Sequence, residues 1–167
     1  MNEPKWLSRE DIESIHDMML EIGGGMPGLR DAAMLESALS RPQNLYAYEE
    51  PTIFDLAASY AEIGRHQSFV DGNKRTGFGA AEVFLADNGY ELEVAQYHEH
   101  ADMMEQLGEG LITREDASAY FAEHAREIAP EQMLESSGHD ELLKDYNEQP
   151  AQDEHENSRD HDMADDD

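Results

Sequence analysis

The sequence predicts an all-α domain followed by an acidic, mostly disordered tail, and three observations carry that prediction. Apolar residues recur at three- and four-residue spacing through most of residues 8–128, capping signatures precede several of these runs, and Gly or Pro closes them. The length agrees, because 167 residues with 39% apolar side chains supply one core but not two. We expect about six helices in one domain over residues 1–130 and a tail over residues 131–167.

Ser8 with Asp11 reads as a helix start, with Leu7 against Ile12 as a hydrophobic staple. Ile12, Ile15, Met19 and Ile22 then form one apolar face before the stop at Gly23-Gly24-Gly25. After the Met26-Pro27-Gly28 turn, Asp31 caps a short helix that carries Met34, Leu35, Ala38 and Leu39 inward and ends before Pro42. Residues 44–51 lack a helical period and read as an exposed flap loop. A helix is expected from about Ile53 to His66, with Phe54, Ala57, Tyr60, Ala61 and Ile63 on its buried side. Asp71-Gly72 interrupts it, and Asn73, as N-cap, opens a helix to Asp87 that Gly89 closes. Residues 90–94 alternate as a short strand, and helices follow near 97–108 and 114–128, the second opened by Thr113 with Asp116. From about residue 137 the chain is too polar to order itself by burial.

The formal net charge of -28 is not a property of the tail alone. Residues 130–167 hold 14 of the 39 acidic and two of the 11 basic side chains, which leaves 25 against nine, or -16, on residues 1–129. Only Lys5, Lys74 and Lys144 are lysines. Such a surface repels itself unless salt screens it, which at about 1 M happens within roughly 3 Å. We expect a protein of a halophilic cytoplasm, and the same charge argues against general binding to nucleic acid or an anionic membrane. No apolar run reaches the roughly 20 residues a spanning helix needs, and residues 1–5 lack a signal-peptide layout. The absence of cysteine removes disulfides, zinc-thiolate sites and thiol nucleophiles.

The chemistry concentrates at Arg65-His66-Gln67-Ser68-Phe69-Val70-Asp71-Gly72-Asn73-Lys74-Arg75-Thr76-Gly77. A helix stops, Gly72 permits a tight turn, and the next helix begins with free amides that can cradle a phosphate. Lys74 and Arg75 add positive charge at that first turn, where the helix dipole disfavours cations unless an anion is present. Asp71 could hold a magnesium ion bridging phosphate oxygens. Taken singly, Asp71-Gly72 is an ordinary turn and Asn73 an ordinary cap; together they point to phosphate. His16, His98, His100 and His124 read as solvated helix positions, although His98 and His100 could meet a metal.

The stretch Phe69-Val70-Asp71-Gly72-Asn73-Lys74-Arg75 resembles the Fic/Doc signature of death-on-curing proteins, His-x-Phe-x-Asp/Asn-Gly/Ala-Asn-Lys-Arg. Gly28-Leu29-Arg30-Asp31, Leu35-Glu36-Ser37-Ala38-Leu39 and Arg41-Pro42 upstream, and Thr76-Gly77, Phe84-Leu85 and Asn88-Gly89-Tyr90 downstream, extend the resemblance over about residues 8–128. It implies a Fic/Doc-type helical bundle and a toxin held by an antitoxin protein. In that family, Lys at the position of Lys74 goes with a kinase that moves a phosphoryl group from ATP to elongation factor Tu, and Gly there goes with nucleotidyl transfer. The site then comprises Asp71 for magnesium, the amides of Gly72 and Asn73 as an anion cradle, and Lys74 with Arg75 against phosphate charge.

One position departs from the pattern. The motif histidine lies two residues before Phe, where this chain has Gln67, and His66 is one residue early. One residue turns a side chain by about 100° around a helix axis, so Gln67 is taken as the equivalent. An amide positions a hydroxyl without accepting its proton, and losing a general base costs about 10² to 10⁴ in rate. Two readings follow: a kinase toxin of weak or altered activity, or an impaired member that binds nucleotide or antitoxin without transfer. A third makes the Asp71-Gly72 turn purely structural. The residues around Tyr46-Ala47-Tyr48 would accept an extended segment by strand addition, as in related folds.

Overall fold

Helix α1 (Arg9–Gly23) starts where its sequence requires, because Ser8 and Asp11 exchange side-chain-to-backbone hydrogen bonds across the first turn. The computed structural model describes residues 1–93 and 97–129. Over these the order is α1, α2 (Ala32–Tyr48), α3 (Ile53–Ala61) continued by a 3-10 turn (Glu62–Arg65), α4 (Asn73–Asp87), β1 (Tyr90–Leu92), α5 (Tyr97–Gly108), α6 (Arg114–His124) and β2 (Ala125–Glu127). The expectation of an all-α Fic/Doc-type bundle holds. The predicted tail and Val94 lie outside the described residues.

Helices α3 and α4 form the centre, and α1, α2 and α6 pack around them. Their contact is close because it is built of small residues, with Ala57, Ala58, Ala61, Ala80 and Ala81 all fully buried. Gly77 sets the limit of that approach: a Cβ there would stand 2.6 Å from the carbonyl oxygen of Ala61 and 2.7 Å from the amide of Gly64. Tyr60, Phe84 and Phe121 fill the remaining space. The hydroxyl of Tyr60 accepts from the Leu7 amide at 3.0 Å, which fastens the N-terminal segment, and burial pushes its pKa up to about 12.

Several expectations are corrected. Helix α2 does not stop before Pro42 but runs through it to Tyr48, because Leu45 is buried and Tyr46 packs edge-on against Trp6, 5.6 Å between ring centres. That burial offsets the roughly 3 kcal/mol an interior proline costs. The flap at 44–51 therefore shrinks to the short link after Tyr48, and Tyr46-Ala47-Tyr48, being helical, offers no strand edge. The segment that does run extended is 28–31, where Leu29 bridges Phe69 and the amides of Arg30 and Asp31 both donate to the Ser68 carbonyl. Residues 125–127, expected as the end of a helix, leave α6 and run antiparallel to β1. Ile22 is 36% exposed and does not join the core face of α1.

Candidate functional site

The 66–72 segment leaves the 3-10 turn in an extended course beside residues 28–31 and then turns into α4. Two devices fix it from below. The His16 ring, buried on α1, stacks on Phe69 at 3.8 Å between ring centres, and its Nε2–H donates to the Asp71 carbonyl at 2.8 Å. Asn73 folds back so that its Oδ1 accepts from the Phe69 amide at 3.0 Å and its Nδ2 donates to the Phe69 carbonyl at 2.9 Å. Asn73 is thus the first residue of α4 and a clamp, not the N-cap the sequence suggested. The N-cap is Gly72, at φ 76, where only glycine is unstrained.

That turn leaves α4 without a side-chain cap, while Ser8, Asp31, Thr52 and Thr113 cap α1, α2, α3 and α6. Open amides at a helix start make a seat for an anion. Asp71 borders the seat: its Oδ1 accepts from the Gly72 amide at 2.8 Å and its Oδ2 from the Met26 amide at 3.2 Å. A carboxylate has about four lone-pair sites, so capacity remains for a cation. Among the described residues no group of three His, Asp or Glu could hold a metal by itself. Asp71 is the carboxylate at the seat that could hold a cation, provided the ligand supplied the remaining oxygens.

The two motif cations are not poised over the seat. Lys74 reaches α5, where its Nζ pairs with Glu105 Oε1 at 2.8 Å. Arg75 reaches the end of α1, donating to the carbonyls of Met19 at 3.1 Å and Gly24 at 2.8 Å. Arg75 therefore ties the start of α4 to the C-terminal end of α1, and Lys74 must exchange Glu105 for a ligand in order to touch it.

Gln67 and His66 both line one open cleft of about 440 Å³, together with Arg30, Asp31, Met34 and Arg65. The Gln67 side-chain oxygen accepts from Arg30. His66 Nε2 accepts from Arg41 at 2.7 Å, which puts the ring proton on Nδ1. Burial, then the charges of Arg41 and Arg65, hold the His66 pKa below its usual value, so the ring is neutral near pH 7. Beneath it, burial raises the Glu62 pKa against the opposing pull of Arg114, Arg41 and Arg65. The grouping of Arg30 on Gln67 with Arg41 and Arg65 at His66 was not expected from the sequence. The signal available was positional, since few cations exist and Arg65 directly precedes His66.

The comparisons with known proteins bear on this geometry. The Fic/DOC family model matches residues 6–85, which include Gln67 and the whole Asp71–Arg75 turn. Toxin Doc of Mycolicibacterium smegmatis is 34% identical over 125 residues, covering 72% of this chain and 92% of that protein. This chain belongs to the Fic/DOC family. Protein kinase doc of Escherichia phage P1 is 35% identical over 109 residues, covering 64% of this chain and 85% of that protein.

The other histidines are not solvated as a group. His16 and His100 are buried, and His100 takes the Tyr120 hydroxyl at Nδ1 while its Nε2–H donates to the Glu93 carbonyl at 2.9 Å. His124 lies 3.6 Å from Glu99. Among the described residues no helix is long and apolar enough to cross a membrane.

Proposed function

We propose that this chain is a Doc-like toxin of a toxin-antitoxin pair that transfers the terminal phosphoryl group of ATP, with magnesium, to a translation factor of the elongation factor Tu type, at a reduced rate. The observation that carries the reading is the uncapped start of α4 behind Gly72, flanked by Asp71 and built from the family turn. The relatives named as a protein kinase and as a toxin support the class of reaction and the expectation of an antitoxin partner; a cytoplasmic place of action is part of the proposal.

The amides of Asn73 and of the turn that follows would receive the transferring phosphate, joined by that of Gly72 once it leaves Asp71 Oδ1, Asp71 would hold magnesium, and Lys74 would swing from Glu105 to the phosphate oxygens. Magnesium, when bound, supplies neutralisation of phosphate charge. Arg75, by holding the end of α1 against the turn, keeps His16 and Phe69 beneath Asp71. Neither acceptor-side group offers a ready base: Gln67 cannot take a proton, and the His66 lone pair is engaged by Arg41. Phosphoryl transfer passes through a loose transition state in which positioning and charge stabilisation dominate, so a site without its base retains activity. The expected deficit is about 10² to 10⁴ in rate.

One observation favours a second reading. Gln67 is held by Arg30 and His66 by Arg41, so the protein that binds nucleotide without transferring it is the alternative. Titration of ATP with magnesium into the protein at high KCl, followed by analysis of elongation factor for phosphate, separates them. Binding with transfer supports the kinase; binding without transfer supports the second reading; no binding to the wild type, with the fold intact, refutes both.

A further inference from the structure

In a chain with 39 carboxylates and 11 basic side chains, a cation without a carboxylate partner is the exception. Among the described arginines, Arg9, Arg65, Arg114 and Arg126 each reach a glutamate, and Arg75 reaches main-chain carbonyls. Only Arg30 and Arg41 spend their guanidinium on neutral side chains, Gln67 and His66, and those two side chains line the same cleft. Arg65 lines that cleft too, its contact with Glu62 a loose 3.8 Å. Asp31, the carboxylate of the cleft wall, is occupied as the cap of α2, its Oδ1 accepting from the Met34 amide at 2.9 Å.

Two guanidinium groups on the cleft wall, those of Arg30 and Arg65, and a third, that of Arg41, bonded to the His66 ring that lines it, form a set of forked donors about a neutral imidazole and a neutral amide. Forked donors of this kind match the oxygens of a phosphate two at a time. Glu62 offsets part of the charge of Arg41 and Arg65, but in a molecule whose field repels anions, two guanidinium groups that hydrogen-bond no carboxylate leave one place where an incoming anion is attracted. Its residues differ from those of the turn at Gly72, and the amides there play no part in it.

We infer that the cleft lined by Arg30, Arg65, His66 and Gln67, with Arg41 bonded to its His66, is a binding site for a phosphate group, free or carried at the end of a polyphosphate. Arg30 and Arg41 would exchange their neutral partners for phosphate oxygens, which releases the amide of Gln67 and the Nε2 lone pair of His66 into the cleft. The site stands whether or not the chain transfers a phosphoryl group, since it requires binding alone.

Inorganic phosphate is titrated into the full chain at constant ionic strength in KCl, by calorimetry and by the NMR signals of the His66 ring. Saturable binding is expected, with the His66 pKa rising as the anion arrives. Arg30→Gln and Arg41→Gln should each weaken it about tenfold or more, the loss of one charge-assisted contact. Lys74→Ala should weaken ATP, while the response of the His66 ring signals to phosphate, which is local to the cleft, persists, so failure here and failure of the kinase reading are told apart. Competition between ATP and phosphate would make the nucleotide the carrier; simultaneous binding would make it a site for the free ion. Arg30 is exposed, so Arg30→Gln retains the fold even if Arg41→Gln does not. Absence of saturable phosphate binding, or affinity unchanged in Arg30→Gln, would overturn the inference.

Discussion

Asn73→Ala removes both hydrogen bonds that fix the motif loop, and its cost can be worked from the contacts. The Asn73 side chain serves the amide and the carbonyl of Phe69, a residue only 2% exposed, at 3.0 and 2.9 Å. An ordinary hydrogen bond contributes about 1 kcal/mol net, and a main-chain group stranded away from water costs about 1 to 3 kcal/mol. Two stranded groups, one of them able to relax toward solvent at the loop, put the loss at about 2 to 4 kcal/mol. For a domain of this size that lowers the melting temperature by on the order of 10 °C. Asn73→Asp should be no milder, because it keeps the acceptor for the Phe69 amide and places a second negative oxygen against the Phe69 carbonyl. Thermal and urea unfolding at fixed KCl measure both. A loss below about 0.5 kcal/mol for Asn73→Ala would refute the clamp and return Asn73 to the role of a phosphate ligand alone.

Gly77→Ala should destabilise by about 1 to 3 kcal/mol, because the added Cβ meets main-chain atoms of Ala61 and Gly64 that cannot swing aside; unfolding midpoints decide it. Burial holds the His100 pKa below its usual value despite the Glu93 carbonyl, so the folded protein resists a proton that the unfolded chain accepts. Stability should therefore be flat above neutrality and fall as pH drops below about 6.5, by up to about 1.4 kcal/mol per pH unit for this one proton. His66 acts in the same direction and Glu62, with its raised pKa, in the opposite one as its carboxylate takes up a proton; His100→Gln should flatten the upper part of the curve. The formal charge of -28 predicts a melting temperature that rises steeply with KCl, and equal stability in dilute buffer and molar KCl would contradict the reading of a salt-adapted surface.

What could be read from the sequence was whatever a short window determines. Ser8 with Asp11, and Thr113 with Asp116, are local exchanges of hydrogen bonds, and both form. Thr52 with Asp55 makes a third of the same kind that the reading passed over. Gly72 needed only its own φ to be recognised as the turn. Pro42 misled because its local cost was visible while the burial of Leu45 and the Trp6–Tyr46 contact, which outweigh it, lie outside the window. Strand β2 was missed for the same reason, since its partner β1 is some 35 residues earlier. At the site, the order of Asp71 to Arg75 announced the turn, but not that Lys74 and Arg75 diverge to α5 and α1. Side chains of adjacent helical residues point about 100° apart, and only the neighbours decide what each meets. The arginines around His66 come from positions 30, 41 and 65, a convergence that no single stretch of sequence contains.

The central claim is a phosphoryl-transfer site that retains its phosphate seat and lacks its base, and Gln67→His tests it most directly. Transfer of labelled phosphate from ATP to elongation factor is followed for the wild type and the variant under identical salt, with ATP affinity measured on both. The account predicts comparable affinity, weak transfer by the wild type and an increase of about 10² or more in the variant. Equal transfer by the two proteins, or none by either at full ATP occupancy, would contradict it.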